Sequence, residues 1–447
     1  MPLPKPALPP VPTYTLARAK VPHSLFAGAL EGLPRDAEGC SLVDLAIDGG
    51  RIAAISASPE GPAAGRGIDL EGRLVLPALV EPHAHLDKGQ VFPRAQPDGS
   101  LYGGHSHTIA DRAHWTKRDL ALRMEFGLRC AYAHGVSAIR THIDSVSFEL
   151  AERGFAVLSE MRDKWRDRVR LQGVTITPME SYLGPLGEKL ADIAAREGDV
   201  LGGVTDAWDE GLPYERLDAA LDVLFALARE RGLDVDLHVD QTENPGAFTI
   251  PNIARAKMRA KFEGKVVCDH CVNLILQPDE VIERTLQLAR EAGLAFTSMP
   301  TPMMYLLDRR PGRTPKWRGV TAAKEILAAG LPFAVGGDNC RDAWFPFGDH
   351  DMLDTFKQAV RVFQTDDSLS EFLKAATTTP ADIMRFPDLG RIGAGLPAKL
   401  IVFSARSLNV LMCRDQADRL VLDRGVEVTE PLPSHEDLWA ALSQAPA

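Results

Sequence analysis

Through the middle of the chain, short apolar runs end in polar residues and are followed by longer stretches of helical period. Leu74-Val75-Leu76-Pro77-Ala78-Leu79-Val80, bounded by Gly72 and Pro82, reads as a buried strand. After it, β-like segments at 137–142, 168–176, 201–204, 233–238, 266–270, 294–297 and 333–338 each precede a helical segment. These helices are expected at 147–161, 186–195, 215–231, 253–262, 278–292, 322–329 and 353–363. Eight strand candidates in β-then-α order predict an α/β fold, a (β/α)8 TIM-type barrel, although counting alone also admits an open sheet. The ends of the chain read differently. Residues 42–47 and 51–55 flank the turn Asp48-Gly49-Gly50, and a second β-like patch lies at 398–403 and 419–425. The two ends are expected to form one small β-sandwich domain, from residues 1–75 (with a loose Pro-rich arm at 1–13) and 389–447. The barrel would then occupy 76–388.

Composition narrows the function. With 447 residues the chain can bury a large core, and 45% hydrophobic with 25% charged residues is ordinary for a globular protein. A net charge of -11 argues against nucleic-acid binding by bulk electrostatics. No apolar stretch reaches the roughly 18 residues of a membrane span. Met1-Pro2-Leu3-Pro4-Lys5-Pro6 lacks the apolar core of a signal peptide, so a cytoplasmic location is expected. Six cysteines are too sparse for a disulfide framework, and Cys268-Asp269-His270-Cys271 has no second CxxC to complete a zinc site. Ordinary buried thiols are expected there.

The strand ends carry the chemistry. His83 and His85 lie two apart at the end of the first run, so two imidazoles can face one point. His142, His238, His270 and Asp338 end later strand candidates, and barrel active sites gather at that face. His83, His85, His238 and Asp338 would give one divalent ion three imidazoles and a carboxylate. Water on such an ion loses a proton near neutral pH, Asp338 could accept it, and His270 could polarise the attacked group. For His142 a supporting or structural role is expected. His105-Ser106-His107 follows Gly103-Gly104 and reads as a solvated or lid loop. Met299-Pro300-Thr301-Pro302-Met303-Met304 reads as an apolar wall or mobile cover, or equally as core packing.

At these residues the chain resembles the amidohydrolase superfamily, and within it the bacterial cytosine deaminase and N-isopropylammelide amidohydrolase-like group. The resemblance rests on Glu81-Pro82-His83-Ala84-His85-Leu86-Asp87, Arg140-Thr141-His142-Ile143-Asp144, Asp236-Leu237-His238-Val239-Asp240, Asp269-His270, and Gly337-Asp338-Asn339 through Trp344-Phe345-Pro346-Phe347-Gly348. It implies one zinc or iron ion, with manganese as a further candidate, on the residues matching His83, His85, His238 and Asp338. It also implies His270 on the hydrolytic water or substrate, and a homo-oligomer. The substrate implied is a small nitrogen heterocycle hydrolysed at a C–N bond.

The departures from the cytosine deaminase pattern concern that substrate. The proton-shuttling Glu of His-x-x-Glu is replaced by Gln241, which can hydrogen-bond a ring but cannot donate a proton and take it back. Met179 follows Pro178 where a pyrimidine-recognising Gln is expected. Lys88 and Asn339 resemble the ammelide-hydrolase branch. Glu243 could supply the lost shuttle. Lys88, Met179, Gln241, Asn339 and Trp344, the last as a stacking platform or else a core tryptophan, are the substrate-binding candidates. An aminohydrolase of a pyrimidine or triazine is expected first, with an N-alkylamine or cyclic-amide hydrolase as alternative. A non-catalytic binding subunit is the rival from another class.

Overall fold

The computed structural model describes all residues except 1–5, 7, 9–11, 29, 31, 60, 64, 66, 206–213 and 445–447. The expected Pro-rich arm therefore lies largely outside the described residues. The backbone divides into two compact units: Met1–Val80 with Ala131–Ala138 and Asp351–Leu432, and Glu81–Cys130 with Ile139–His350 and Pro433–Ala447. The expected borders at 75/76 and 388/389 follow element order, which compactness does not measure.

Eight barrel strands are present: β1 (Leu79–Ala84), β2 (Val136–Asp144), β3 (Arg170–Ile176), β4 (Leu201–Val204), β5 (Val235–Val239), β6 (Val266–His270), β7 (Leu294–Ser298) and β8 (Phe333–Val335). Hydrogen bonding runs β1-β2-β3 and β4-β5-β6-β7-β8. Parallel bridges Val174–Val200 and Pro178–Val204 join β3 to β4. The bridge Ala84–Asp338, with the Asp338 N–H donating to the His83 carbonyl at 2.8 Å, joins the end of β8 to β1. The sheet closes, as the eight βα repeats require. Strands β1, β2, β5, β6 and β7 are buried at every position, which explains their near-continuous apolar runs. Helices start and stop on local signals. Ser147 caps Phe148–Trp165 by accepting from the Leu150 N–H, and left-handed Gly198 and Gly293 end Pro185–Glu197 and Asp279–Ala292.

The other unit contains a β-sandwich drawn from both chain ends. One sheet orders Arg51–Ala57, Cys40–Asp48, Thr13–Pro22 and Ile68–Asp69; the other orders Val426–Glu427, Leu420–Asp423, Leu400–Val402 and Val75–Pro77. Leu16, Val43, Leu45, Val75, Leu400 and Leu422 share its core. Gly49 and Gly50, at φ 54° and 80°, make the expected hairpin turn.

Two expectations need correction. The run 74–80 is not one strand: Val75–Pro77 pairs antiparallel with Leu400–Val402, and β1 begins at Leu79. The Gly-rich stretch at 103–107 is not a loop but part of the helix Leu101–Asp111. Ser100 caps it by accepting from Gly103, and the glycines serve close packing. A Cβ at Gly104 would stand 2.6 Å from the Trp344 ring.

Candidate metal centre

The strand ends bring five imidazoles and two carboxylates together in the barrel unit. His83, His85, His142, His238 and His270 are all at most 4% exposed, and Asp269 and Asp338 at most 2%. His83 lies with its ring centroid 5.2 Å from His85, 4.7 Å from His238 and 5.2 Å from His270. His85 Nε2 and His238 Nε2 are 3.4 Å apart. Asp338 Oδ1 is 3.2 Å from His85 Nε2 and 3.6 Å from His83 Nε2. His142 stacks on His83 at 3.9 Å. His270 and Asp338 hold left-handed backbone, at φ 64° and 65°, although neither is glycine. Such conformations cost on the order of 1–3 kcal/mol each and persist where surrounding structure enforces them, typically at functional sites.

The donor chemistry fits one metal ion. His83 Nε2, both Asp338 oxygens and both His270 nitrogens are buried without a hydrogen-bond partner among the described residues. Orphaned buried donors and acceptors of this kind are costly unless something is to bind them. Burial, and then Lys88, draws His85 down to about 4; burial draws His270 to about 3 and holds His238 well below its ordinary value. These rings are neutral near pH 7, with lone pairs free for coordination. Burial opposes charge on His83 too, but the carboxylates of Asp269 and Asp338 outweigh it and raise that ring to about 10. Burial pushes Asp338 up, yet contact with His83 and His85 leaves it well below the usual carboxylate range. Without an ion the two carboxylates thus favour a proton on His83, at the Nε2 that a bound cation would take instead.

Two ligand sets can be drawn from these donors. The donor atoms of His83, His142, His238 and Asp269 lie within 4.8 Å of one another, as do those of His83, His270 and Asp338. The first set enlists Asp269. Its Oδ2, however, lies 2.8 Å from His83 Nδ1 and so fixes that ring with Nε2 facing Asp338. An Asp–His contact of this type is the usual support behind a metal-binding imidazole. His85, expected as a ligand, is in neither set, although its Nε2 lies 3.4 Å from His238 Nε2 and 3.2 Å from Asp338 Oδ1.

The remaining predicted residues fall around this centre. Lys88 is 9% exposed, and its ammonium makes no hydrogen bond or ion pair with any described residue. Its charge bears on His85, His105 and His142 and on the buried carboxylate of Asp87. Gln241 is buried and its Nε2 lies 3.5 Å from Met303 Sδ. Met179 is buried, opening the turn Met179–Leu183 beyond β3. Asn339 donates to Asp342 at 2.7 Å. Trp344 is 7% exposed, its indole N–H donates to Thr108, and its ring packs on Gly104. This is the core position foreseen as its alternative, and a stacking role is confined to the little surface left. Glu243 is committed elsewhere: Arg310 lies 2.8 Å from its Oε2, and the Asp308 N–H donates to Oε1. Cys268, Cys271 and Cys340 are buried and reduced. Pro300–Leu306 is a short helix whose Pro300, Pro302, Met303 and Leu306 are buried, with Met303 and Leu306 in a core cluster.

Two supporting residues carry no role in the sequence reading. Glu81 accepts from the His83 N–H and the Gly337 N–H, both at 3.0 Å, tying β1 to the turn that presents Asp338. Burial raises Glu81 to about 8. Asp269 orients His83. Their signal was present: each is a carboxylate ending an apolar run, and buried carboxylates need partners.

The model of the amidohydrolase family matches residues 191–428. The chain belongs to that family. Among curated relatives of this amidohydrolase, the pterin deaminase of Rhizobium rhizogenes (strain K84) is 39% identical over 428 residues, covering 95% of this chain and 96% of the relative. The N-isopropylammelide isopropyl amidohydrolase of Pseudomonas sp. (strain ADP) is 26% identical over 85% of this chain and 91% of its own length. The crystal structure of 5-methylcytosine deaminase from Klebsiella pneumoniae with 5-fluorocytosine superposes at a TM-score of 0.79, with 23% identity over 94% of this chain and 98% of that one. That likeness bears on the fold.

Proposed function

We propose that this amidohydrolase removes the amino group of a pterin, a 2-amino-4-oxopyrimidine fused to a pyrazine. More broadly, the chain is a metal-dependent hydrolase that acts on C–N bonds of a small nitrogen heterocycle. The 39% identity along nearly the whole of a pterin deaminase carries the finer reading. Lys88 supports it, because an ammonium that makes no hydrogen bond or ion pair with a described residue suits a ring oxygen such as the 4-carbonyl.

Overall, water adds at the carbon bearing the amine, ammonia leaves, and a carbonyl takes its place. One divalent ion, zinc or iron with manganese as a further candidate, would be held by His83, His85, His238 and Asp338, and supplies Lewis acidity and an acidified water. Asp338 takes the proton of the attacking water and carries it toward the leaving amine. His270, neutral and without a partner, positions the water or the developing hydroxyl. Gln241 holds a ring nitrogen or oxygen through its amide but relays no proton. Lys88 fixes the ring carbonyl and draws charge from the attacked ring.

The 26% match to an N-isopropylammelide hydrolase favours a second reading, loss of an alkylamine. Metal-loaded protein is to be incubated with pterin, cytosine and N-isopropylammelide, scoring ammonia and isopropylamine. Ammonia from pterin alone is expected. Isopropylamine without ammonia from pterin would replace the first reading by the second. Among the described residues no helix is long and apolar enough to cross a membrane. A cytoplasmic homo-oligomer that binds no nucleic acid completes the proposal, to be tested by cell fractionation, light scattering and gel shift.

A further inference from the structure

Lys88 lies in the turn 86–90 that follows β1, and the peptide groups on both sides of its Cα are held. On the C-terminal side the Gly89 N–H donates to the His85 carbonyl at 2.9 Å. On the N-terminal side the Asp87 carbonyl accepts from Nη1 of Arg123. The same Nη1 donates to the Gly89 carbonyl at 3.0 Å. Arg123 comes from the helix Lys117–Ala133 and is fully buried, so it has no surface to offer a ligand. Its guanidinium is itself aimed. Nε and Nη2 donate to Asp119 Oδ2 at 2.8 and 2.7 Å, and Asp119 Oδ1 accepts from Arg94 Nη1 at 2.7 Å. Arg94 also pairs with Asp111, which takes the Trp115 indole N–H at 2.7 Å. Two guanidinium groups and two carboxylates thus balance in charge. Burial pushes Asp119 up, but Arg123 and Arg94 outweigh it and hold the carboxyl below its ordinary value.

A planar fork can bind a carboxylate along one edge and still point its third nitrogen at two carbonyls; an ammonium cannot. We propose that Arg123 is a positioning residue: its guanidinium fixes the turn 86–90 and so sets the Lys88 ammonium against a ring oxygen of the substrate. The proposal rests on the role given to Lys88 in the deaminase reading. Both backbone dihedrals of Lys88 are bounded by held peptide groups, so its stem leaves the turn in one direction. Displacing a positioned group by about 1 Å can cost on the order of 10²-fold in rate. The turn has a second tie, because Asp87 Oδ2 accepts from the Asp144 N–H at 2.7 Å. Loss of the fork should therefore loosen the turn rather than release it.

The test is a double-mutant cycle on metal-loaded protein, scoring kcat/KM for ammonia release from pterin in wild type, R123K, K88M and the double variant. R123K keeps the charge and loses the fork. It is expected to lower kcat/KM about tenfold in the wild type and less than about twofold beside K88M, where the group it positions is already gone. Equal losses in both backgrounds, or no loss in the wild type, overturn the proposal. A second readout needs no turnover: acetylation of Lys88 by acetic anhydride, followed by peptide mass spectrometry. R123K should raise the Lys88 rate relative to that of the exposed Lys164. An unchanged rate overturns the proposal whatever the substrate. A raised rate without ammonia from pterin refutes the deaminase reading and supports the hold of Arg123 on Lys88. Should a thermal melt show R123K unfolded, D119N carries the same cycle and labelling. It keeps the guanidinium, removes the carboxylate that aims it, and should give a smaller loss, again absent beside K88M.

Discussion

His83 Nδ1 sits 2.8 Å from Asp269 Oδ2, both fully buried, and this contact decides which nitrogen His83 offers to a metal. With Nδ1 donating to the carboxylate, Nε2 carries the lone pair toward Asp338 and His85. Asp269→Asn removes the charge and leaves the tautomer free. Metal affinity is expected to fall by about 10–100-fold, as for other supporting carboxylates. Competition with a chromogenic chelator measures it, and excess metal should restore most activity. Unchanged affinity would show Asp269 to be a bystander.

Asp338 differs from Asp269 in that both its carboxylate oxygens lack a hydrogen-bond partner among the described residues. Asp338→Asn keeps three imidazoles for the ion but loses the proton acceptor. Turnover should fall by about 10²–10⁴, the usual span for a positioned acid–base group, with much of the metal retained. Metal content by elemental analysis, run beside kcat, separates the two effects. Near-normal kcat would remove the base role.

Lys88 carries separate expectations for function and stability. Its side chain is largely buried, while its ammonium makes no hydrogen bond or ion pair with a described residue and bears on the Asp87 carboxylate through its charge. Lys88→Met should leave the melting temperature nearly unchanged while lowering kcat/KM about 10–100-fold, the worth of one charged hydrogen bond. A loss on both scales would mark Lys88 as structural.

Gly104 inverts the usual helix rule. In the interior of an ordinary helix, Gly→Ala stabilises by about 0.5–1 kcal/mol. Here the added methyl meets the buried Trp344 ring at 2.6 Å. Gly104→Ala is therefore expected to destabilise by about 1–3 kcal/mol, the cost of overpacking. Denaturant unfolding gives the sign, and a stabilising change would show that the indole can move.

The same glycine shows where pattern reading runs out. Strand order was legible because each barrel strand is a separate apolar run with a polar end, and the metal candidates stand at those ends. Position 104 misled because a glycine needed for close approach looks like a glycine needed for a turn. The run 74–80 misled for another reason: a segment buried on both faces has no alternation, so nothing in it shows that Ala78 separates two sheets. Pro300 and Pro302 hid a short helix, although proline is tolerated in a first turn. Glu81 and Asp269 were visible as residues, but their partners belong to distant strands. The Asp338 partner of His83 was reachable only through the expectation of a closed barrel.

Acid lability has a local source in the unit that contains the sandwich. Asp351 caps the helix Met352–Phe363 through the Leu353 N–H and pairs with Arg419, whose side chain is 6% exposed. Burial pushes Asp351 up, but the Arg419 guanidinium outweighs it and holds the carboxyl below its ordinary value. A depressed folded pKa means that the unfolded chain binds its proton first. The contribution is therefore present above about pH 4, the unfolded value, and is lost as pH falls through the lower folded value. Asp351→Asn leaves Arg419 buried without its charge partner, and should cost about 3 kcal/mol at pH 7. Because His134 Nδ1 also lies 3.7 Å from Asp351 Oδ2, the series is run with His134→Gln as background, where the gap measured by urea unfolding should close below about pH 4. A gap that is constant down to the acid limit would assign the loss to the cap rather than to the charge.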